Sequence, residues 1–305
     1  MTPRPIRPVT VGSVSVGGGR LVIIAGPCVL EAPDRVFRIA RGLRAACEQE
    51  GVPLIFKASF DKANRTSGAA PRGPGIAQGL ELLSEVRRSL GVPVTTDVHE
   101  PAQAERLAPH VDLLQVPAFL CRQTDLLRAC GATGRPVNIK RGPFADPRSL
   151  GHAVDKVRAA GDGGVLLTER GTSFGHGDLV VDFRGLVWLR AHGVPVVFDA
   201  THSVQRPSAA GDRSGGDADL APALARAAVA VGVDAVFVEV HDQPEVALSD
   251  AATQLPLSRF PALLQRLVAV REAVGEPGTD QSEFSGRPPA STGRHRGTDK
   301  DPVDA

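Results

Sequence analysis

The chain has 305 residues, 42% of them apolar and 23% charged, proportions close to globular averages that exclude global disorder. Lysine plus arginine number 35 against 34 acidic residues, a formal charge of +1 that excludes a strongly basic nucleic-acid binder. One Trp, no Tyr and 11 Phe leave little material for base-stacking platforms. At roughly 100–200 residues per domain the length allows one large domain or two ordinary ones, and an α/β barrel of about 250 residues also fits.

The N-terminal stretch MTPRPIRPVTVGSVSVGGG carries Arg4 and Arg7 with no continuous apolar run behind them, so it does not read as a signal peptide. No apolar run reaches the roughly 18–20 residues a membrane span needs, so no membrane partner is expected. Cys28, Cys47, Cys121 and Cys130 are widely spaced and form no CxxC pair. Without an export signal, reduced thiols in a cytoplasmic compartment are expected.

Along the chain, Val9–Gly19 alternates apolar with small or polar residues around Gly12, which predicts a short hairpin over residues 1–19. Then one pattern repeats: a β-branched run, a loop, and a helical stretch ending near Gly. The runs are Leu21–Ala25, Leu54–Ala58, Val92–Thr96, Leu113–Pro117, Val137–Lys140, Val165–Thr168, Val194–Asp199 and Val236–Val240. They are near-continuously apolar, as strands of a parallel sheet covered on both faces should be. Val36, Ile39, Ala40, Leu43 and Cys47 follow the first run at helical spacing and Gly51 closes that helix; Phe260, Leu263, Leu264, Leu267 and Val274 repeat the pattern after the eighth. Eight strands alternating with helices predict an α/β fold of the (β/α)8 TIM-barrel type over residues 20–274. A doubly wound open sheet is the alternative, but GxGxxG is absent after the first run. Gln205–Asp219 is a long polar, Gly-rich loop, expected to be a lid or disordered. Residues 275–305 hold only Phe284 and Val303 as large apolar residues and are expected to form a disordered tail.

Polar residues sit where the runs end: Cys28; Lys57, Lys62, Asn64 and Arg65; Asp97 and His99; Gln115; Lys140; Glu169 and Arg170; Asp199 and His202; Glu239 and His241. In a (β/α)8 barrel such ends converge on one mouth, where the active sites of the fold lie. Lys57, Lys62, Arg65, Lys140 and Arg170 would repel one another there unless a phosphorylated or polycarboxylate substrate neutralised them. The plainer alternative is surface ion pairs with local acids, weakest for Lys57 and Lys140, which lie in or against apolar strands. Cys28, His202, Glu239 and Asp250 make a mixed donor set suited to Zn²⁺, Fe²⁺ or Mn²⁺ if the barrel joins them. Equally, Cys28 reads as a small buried residue and His202 as a core histidine. Cys47, Cys121 and Cys130 read as packing residues, and His110, His152, His192 and His295 as solvated.

At these strand ends the sequence resembles the 3-deoxy-D-manno-octulosonate 8-phosphate synthases. The resemblance rests on AGPCVLE (Ala25–Glu31), FKASFDKANRTS (Phe56–Ser67), RGPG (Arg72–Gly75), TTDVHEP (Thr95–Pro101) and LQVPAFLCRQTDLL (Leu114–Leu127). It continues through NIKRGPF (Asn138–Phe144), TERGTSFG (Thr168–Gly175), LVVDFRGL (Leu179–Leu186), DATHSVQ (Asp199–Gln205), SGG (Ser214–Gly216) and ALSDAATQLPL (Ala247–Leu257), covering roughly residues 20–270. KANR is the most discriminating piece, since the sister 3-deoxy-arabino-heptulosonate 7-phosphate synthases typically have a KPRTS-type sequence there. The resemblance implies a (β/α)8 barrel, usually a homotetramer, that condenses phosphoenolpyruvate with arabinose 5-phosphate for lipopolysaccharide synthesis in the cytoplasm. It implies phosphoenolpyruvate binding by Lys57, Lys62, Lys140 and Arg170 with Gln115 beside them. Arabinose 5-phosphate falls to Asn64 and Arg65, with Arg65 and Thr66 meeting the phosphate across a subunit boundary. In the metal-dependent class, Cys28, His202, Glu239 and Asp250 bind a divalent ion (Zn, Fe, Mn or Co); the metal-independent class has Asn at the cysteine. Lys62 and Asp97 are the candidates for proton handling, Lys140 and Arg170 for charge on the leaving phosphate, and His202 joins them through the metal. Three positions depart from the usual pattern: Thr66 for Ser, Arg141 for Lys and His176 for Tyr. The rival readings are the sister heptulosonate synthase and a barrel that binds phosphometabolites without turnover.

Overall fold

A computed structural model describes residues 4–63, 68, 70–175, 177–206 and 215–277. The expected tail beyond Pro277, the centre of the Gly-rich loop, and Asn64, Arg65, Thr66 and His176 lie outside the described residues.

The chain opens with an antiparallel hairpin of β1 (Val9–Val11) and β2 (Val14–Val16), turned at Gly12 with φ +57°. Strands and helices then alternate: β3 (Val22–Gly26), α1 (Pro33–Gln49), β4 (Leu54–Lys57), α2 (Ile76–Leu90), β5 (Val94–Asp97), α3 (Pro101–Leu107), β6 (Leu113–Val116) and α4 (Thr124–Ala132). The second half runs β7 (Val137–Lys140), α5 (Gly151–Arg158), β8 (Val165–Glu169), the short β9 (Thr172–Ser173) and β10 (Leu179–Val180), then α6 (Arg184–Arg190) and β11 (Val196–Asp199). It ends with β12 (Gln205–Arg206), β13 (Gly215–Gly216), α7 (Ala221–Val231), β14 (Ala235–His241), β15 (Leu255–Pro256) and α8 (Phe260–Val274).

Eight of these strands pair in parallel in the order β3, β4, β5, β6, β7, β8, β11, β14, and β14 pairs back onto β3, closing the barrel. The alternation read from the sequence thus gives the predicted (β/α)8 architecture. Two strands begin later than the apolar runs suggest, after Pro93 and Pro195, and one ends before Pro117. Proline has no amide N–H to give a ladder, so pairing starts or stops at its edge. The two-residue pairings of β9 with β10 and β12 with β13 are too short to leave a periodic signal.

The core has two compartments. An outer shell packs helices on the barrel, with Val36, Ile39 and Leu43 of α1 and Leu263, Leu264 and Leu267 of α8 among its residues. An inner cluster joins Val9, Val11, Val14 and Val16 of the hairpin to Val22, Ile24, Ile55, Leu113, Leu166, Val197 and Phe237 inside the barrel. The hairpin lies against Pro93, Asp112, Gly164 and Pro195, each just upstream of a barrel strand, so it plugs the N-terminal end. Cys47 and Cys130 are buried with thiols pushed up to about 12 by burial, consistent with packing residues. His192, expected to be solvated, is instead buried, with its Nε2 3.2 Å from the Pro147 carbonyl. Its place just behind α6 folds it under the 3₁₀ turn Pro147–Leu150. No helix among the described residues is long and apolar enough to cross a membrane.

The plug predicts a separation of stability from chemistry. Val11→Ala removes two methyl-sized groups from a fully buried position and should cost about 2 kcal/mol in urea unfolding while leaving turnover unchanged.

Candidate active site

The opposite, C-terminal end of the barrel gathers the polar side chains. Gly26 ends β3 at φ +158°, and a Cβ there would sit 2.0 Å from the Lys57 carbonyl oxygen. Only glycine lets β3 and β4 approach this closely, and the approach sets Cys28 beside Lys57, whose Nζ donates to the Cys28 carbonyl at 3.1 Å.

Cys28, Glu239 and Asp250 bring one ligand atom each within 4.8 Å of the others. The Cys28 thiol donates to Asp250 Oδ2 at 3.0 Å. His202 reaches the same group: its Nε2 lies 3.6 Å from Glu239 Oε1 and 3.8 Å from Asp250 Oδ2. The structure therefore brings together all four residues that the sequence proposes as ligands, from β3, β11, β14 and the turn after it. Burial, reinforced by Asp250 and Glu239, pushes the Cys28 thiol well above the usual range. Glu239 Oε2 is buried with no hydrogen-bond partner among the described residues. An orphaned carboxylate oxygen beside a thiol and a second acid is a costly arrangement for a bare protein, and it fits a cation held between them. His202 Nδ1 lies 2.8 Å from Asp199 Oδ2, and its backbone N–H donates to Asp199 Oδ1 at 2.9 Å. That aims Nε2 at the donor group, the carboxylate–histidine arrangement that orients a metal-ligating imidazole.

The cations converge as well, with buried acids between them. Lys57 Nζ is 3.3 Å from Glu239 and 3.7 Å from Asp97; Lys62 Nζ is 3.9 Å from Glu239; Lys140 Nζ is 2.6 Å from Asp199 and lies over the Phe237 ring at 3.8 Å. Burial lowers the Lys140 and Arg170 pKa values, opposed by Asp199 in both cases. Burial would also lower Lys62, but Cys28, Glu239 and Asp97 outweigh it and raise its pKa. Arg170 donates to Gln205 Oε1 at 2.6 Å and to the His202 carbonyl at 3.2 Å, and its buried Nε has no partner among the described residues. The mutual repulsion expected of bare cations is thus relieved in part by Asp97, Asp199 and Glu239.

Side chains on neighbouring strands form a directed relay around the wall. Thr168 donates to Asn138 Oδ1 at 2.7 Å, Asn138 Nδ2 to Gln115 Oε1 at 3.0 Å, and Gln115 Nε2 to Asp97 Oδ1 at 2.6 Å, while Ser59 donates to Asp97 Oδ2. Burial acts to raise the Asp97 carboxyl, but Lys57, Lys62 and Lys140 hold it below the ordinary carboxylate range. Gln115, named from sequence as a substrate contact, is nearly inaccessible and spends both ends of its amide on this relay.

Sequence reasoning passed over Asp199 as a site residue, although its place three residues before His202 in DATH was the available signal. Thr201 and Gln254 were also missed. Thr201 Oγ1 accepts the Glu239 N–H at 3.0 Å, and Gln254 accepts the Cys28 N–H and donates to the Ser249 carbonyl. Glu169 does not face the mouth. It pairs with Arg141, which is 1% exposed and spends all five N–H donors: on both Glu169 oxygens, Thr172 Oγ1, and the Gly142 and Ala145 carbonyls. Arg141 therefore ties the loop after β7 to the loop after β8, next to Lys140 and Arg170.

Residues 6–276 match the DAHP synthetase I family. A 2-dehydro-3-deoxyphosphooctonate aldolase of Trichlorobacter lovleyi is 52% identical over 266 residues, covering 87% of this chain and 98% of the relative. Proteins of the same name from a Synechococcus species and a Bradyrhizobium species are 52% and 50% identical, covering 86% and 89% of this chain and 93% and 96% of their own lengths.

Arg141→Met would leave Glu169 as an uncompensated buried charge. Loss of about 3–5 kcal/mol in denaturant unfolding is the expected result.

Proposed function

The chain belongs to the DAHP synthetase I family, and we propose that it condenses phosphoenolpyruvate with D-arabinose 5-phosphate and water to give 3-deoxy-D-manno-octulosonate 8-phosphate and inorganic phosphate. The observation that carries this reading is identity of about half the residues, over nearly full length, to aldolases named for 2-dehydro-3-deoxyphosphooctonate, a synonym of that product. The KANR segment and the buried cationic mouth support it over the heptulosonate and non-catalytic alternatives.

In the reaction the C3 carbon of the enol attacks the sugar aldehyde, whose oxygen takes a proton. Water adds at C2 and gives up one proton; the new hydroxyl then loses its second proton as it becomes the C2 ketone, and the C2–O bond breaks with its electron pair leaving on phosphate. Lys57, Lys62, Lys140 and Arg170 hold the phosphoryl and carboxylate groups of phosphoenolpyruvate, the Arg170 Nε, without a partner among the described residues, being a donor suited to such an anion. Lys140 and Arg170 then stabilise charge on the departing phosphate. Lys62 is the candidate for proton handling at the aldehyde oxygen; the Glu239 and Asp97 carboxylates favour its charged form, which suits it to stabilise the developing alkoxide by a charged hydrogen bond and opposes early loss of its proton. Asp97 is better suited to holding Lys57 and Gln115 in place than to taking up a proton, since its neighbours favour the anion. Asn64, Arg65 and Thr66 complete the sugar phosphate site by the resemblance. Fixing both anions in one cavity converts a bimolecular step into an internal one, worth up to about 7–11 kcal/mol in ideal cases.

We place the chain in the metal-dependent class, with Cys28, His202, Glu239 and Asp250 holding a divalent ion such as Zn²⁺, Fe²⁺, Mn²⁺ or Co²⁺. When bound, such an ion supplies Lewis acidity to an oxygen of the sugar aldehyde or of the water. Asp199 keeps the His202 ring aimed, and Gln254 ties the Cys28 amide to Ser249. The resemblance also supports a cytoplasmic homotetramer. Phe119, Phe144 and Phe174, exposed on loops at the mouth, provide apolar surface for subunit contact.

A phosphate-release assay with each sugar decides the substrate. Release with arabinose 5-phosphate and background release with erythrose 4-phosphate are expected; the reverse would assign the sister activity, and calorimetric binding without release a non-catalytic barrel. Chelation should abolish turnover and Mn²⁺ or Co²⁺ restore it. Full turnover by protein shown metal-free by elemental analysis would sink the metal-dependent assignment.

A further inference from the structure

Glu31 lies outside the proposed donor set, yet it touches the segments that carry three of its members. It sits three residues beyond Cys28 on the loop after β3. Its Oε1 accepts the backbone N–H of Leu248 at 3.0 Å, two residues before Asp250. The same oxygen lies 3.2 Å from Nε2 of His241, two residues beyond Glu239. His241 Nδ1 accepts the Gln243 N–H at 3.0 Å, so the ring proton sits on Nε2 and is donated to Glu31. Glu31 Oε2 accepts from Arg35 Nη1 at 2.7 Å, and Arg35 Nε is 3.1 Å from Asp242, which also pairs with Arg38. One carboxylate therefore joins the Cys28 loop, the end of β14 and the Asp250 turn, and is itself anchored on α1.

The Asp250 turn is one of the segments this carboxylate holds. Asp250 has φ +50°, the only positive value at a non-glycine position among the described residues. Aspartate enters that region more readily than other side-chain-bearing residues, and the turn is also held by the Thr253 and Gln254 N–H groups on the Asp250 carbonyl and by Gln254 on the Ser249 carbonyl; Glu31 adds the hold at Leu248 that links it to the Cys28 loop. Leu248, whose N–H Glu31 binds, is half exposed and offers little apolar burial of its own.

We propose that Glu31 is a positioning residue that sets divalent-cation affinity by holding the Cys28, Glu239 and Asp250 segments in one geometry. This rests on the divalent-cation reading above. A glutamine at this position presents an N–H₂ to at least one of three donors, Leu248 N–H, His241 Nε2–H or Arg35, and so releases a segment without altering any ligand.

The test is a cobalt titration of metal-stripped protein, following the thiolate-to-Co²⁺ absorption band that reports the Cys28 bond. Glu31→Gln should bind Co²⁺ about 10–100-fold more weakly than wild type, with a displaced band, the cost typical of lost outer-sphere support. Unchanged affinity and an unchanged band in folded Glu31→Gln overturn the inference and leave the cation reading intact. Absence of any thiolate band in the wild type removes the cation reading itself. If Glu31→Gln does not fold, Arg35→Met carries the test from the partly exposed side of the same carboxylate. It should weaken Co²⁺ binding to a smaller degree, and wild-type affinity there overturns the inference.

Discussion

Burying ionic groups at the mouth is the constraint on which the rest of the structure depends. Lys57, Lys140, Asp97, Asp199 and Glu239 are all withdrawn from water in one small volume. Each such group alone would be costly to desolvate, and opposite charges within ion-pair distance offset the cost only when the geometry is fixed. Strand order fixes it. Lys57 of β4 meets Asp97 of the adjacent β5 and Glu239 of β14, one strand beyond β3; Lys140 of β7 reaches Asp199 of β11. A barrel with a different strand order would leave these charges unmatched. The amide relay from Thr168 to Asp97 does the same work between the ion pairs, setting the orientation of Asn138 and Gln115 without using charge.

Much of this was legible before any coordinates. The apolar runs located all eight barrel strands because each is buried on both faces, and Gly12 and the alternating valines located the hairpin. The cations at strands two, five and six were legible because polar residues at the ends of apolar runs gather at one mouth; the four proposed metal ligands owe their reading to the resemblance, since by residue type Cys28 and His202 read equally as core residues. What stayed hidden was pairing between strands. Nothing in a linear sequence says that Glu169 turns away from the mouth to Arg141 while Arg170, the next residue, turns toward it. Alternation along a strand makes one of the two face outward, but which one depends on register. Asp199 was passed over for a related reason. Its contact with Lys140 crosses from β11 to β7, whereas the signal in the sequence was local, in its spacing from His202.

Arg141 also shows how a departure from a family pattern gains meaning from geometry. As a residue type it looked like a conservative exchange for lysine beside a functional position. In the structure its planar fork satisfies a carboxylate, a hydroxyl and two carbonyls together, which an ammonium with three donors does not match. The exchange bears on how the loops that follow Lys140 and Arg170 are joined.

The valine hairpin has a consequence for traffic. Val9, Val11, Val14 and Val16 extend the packing with which Val22, Ile24, Ile55, Leu113, Leu166, Val197 and Phe237 already fill the barrel, so the site is approached from the mouth alone. In the proposed reaction, phosphoenolpyruvate and arabinose 5-phosphate enter and both products leave through that mouth. An order of binding is expected in that reaction wherever one reactant seats beneath the other, since both share a single approach.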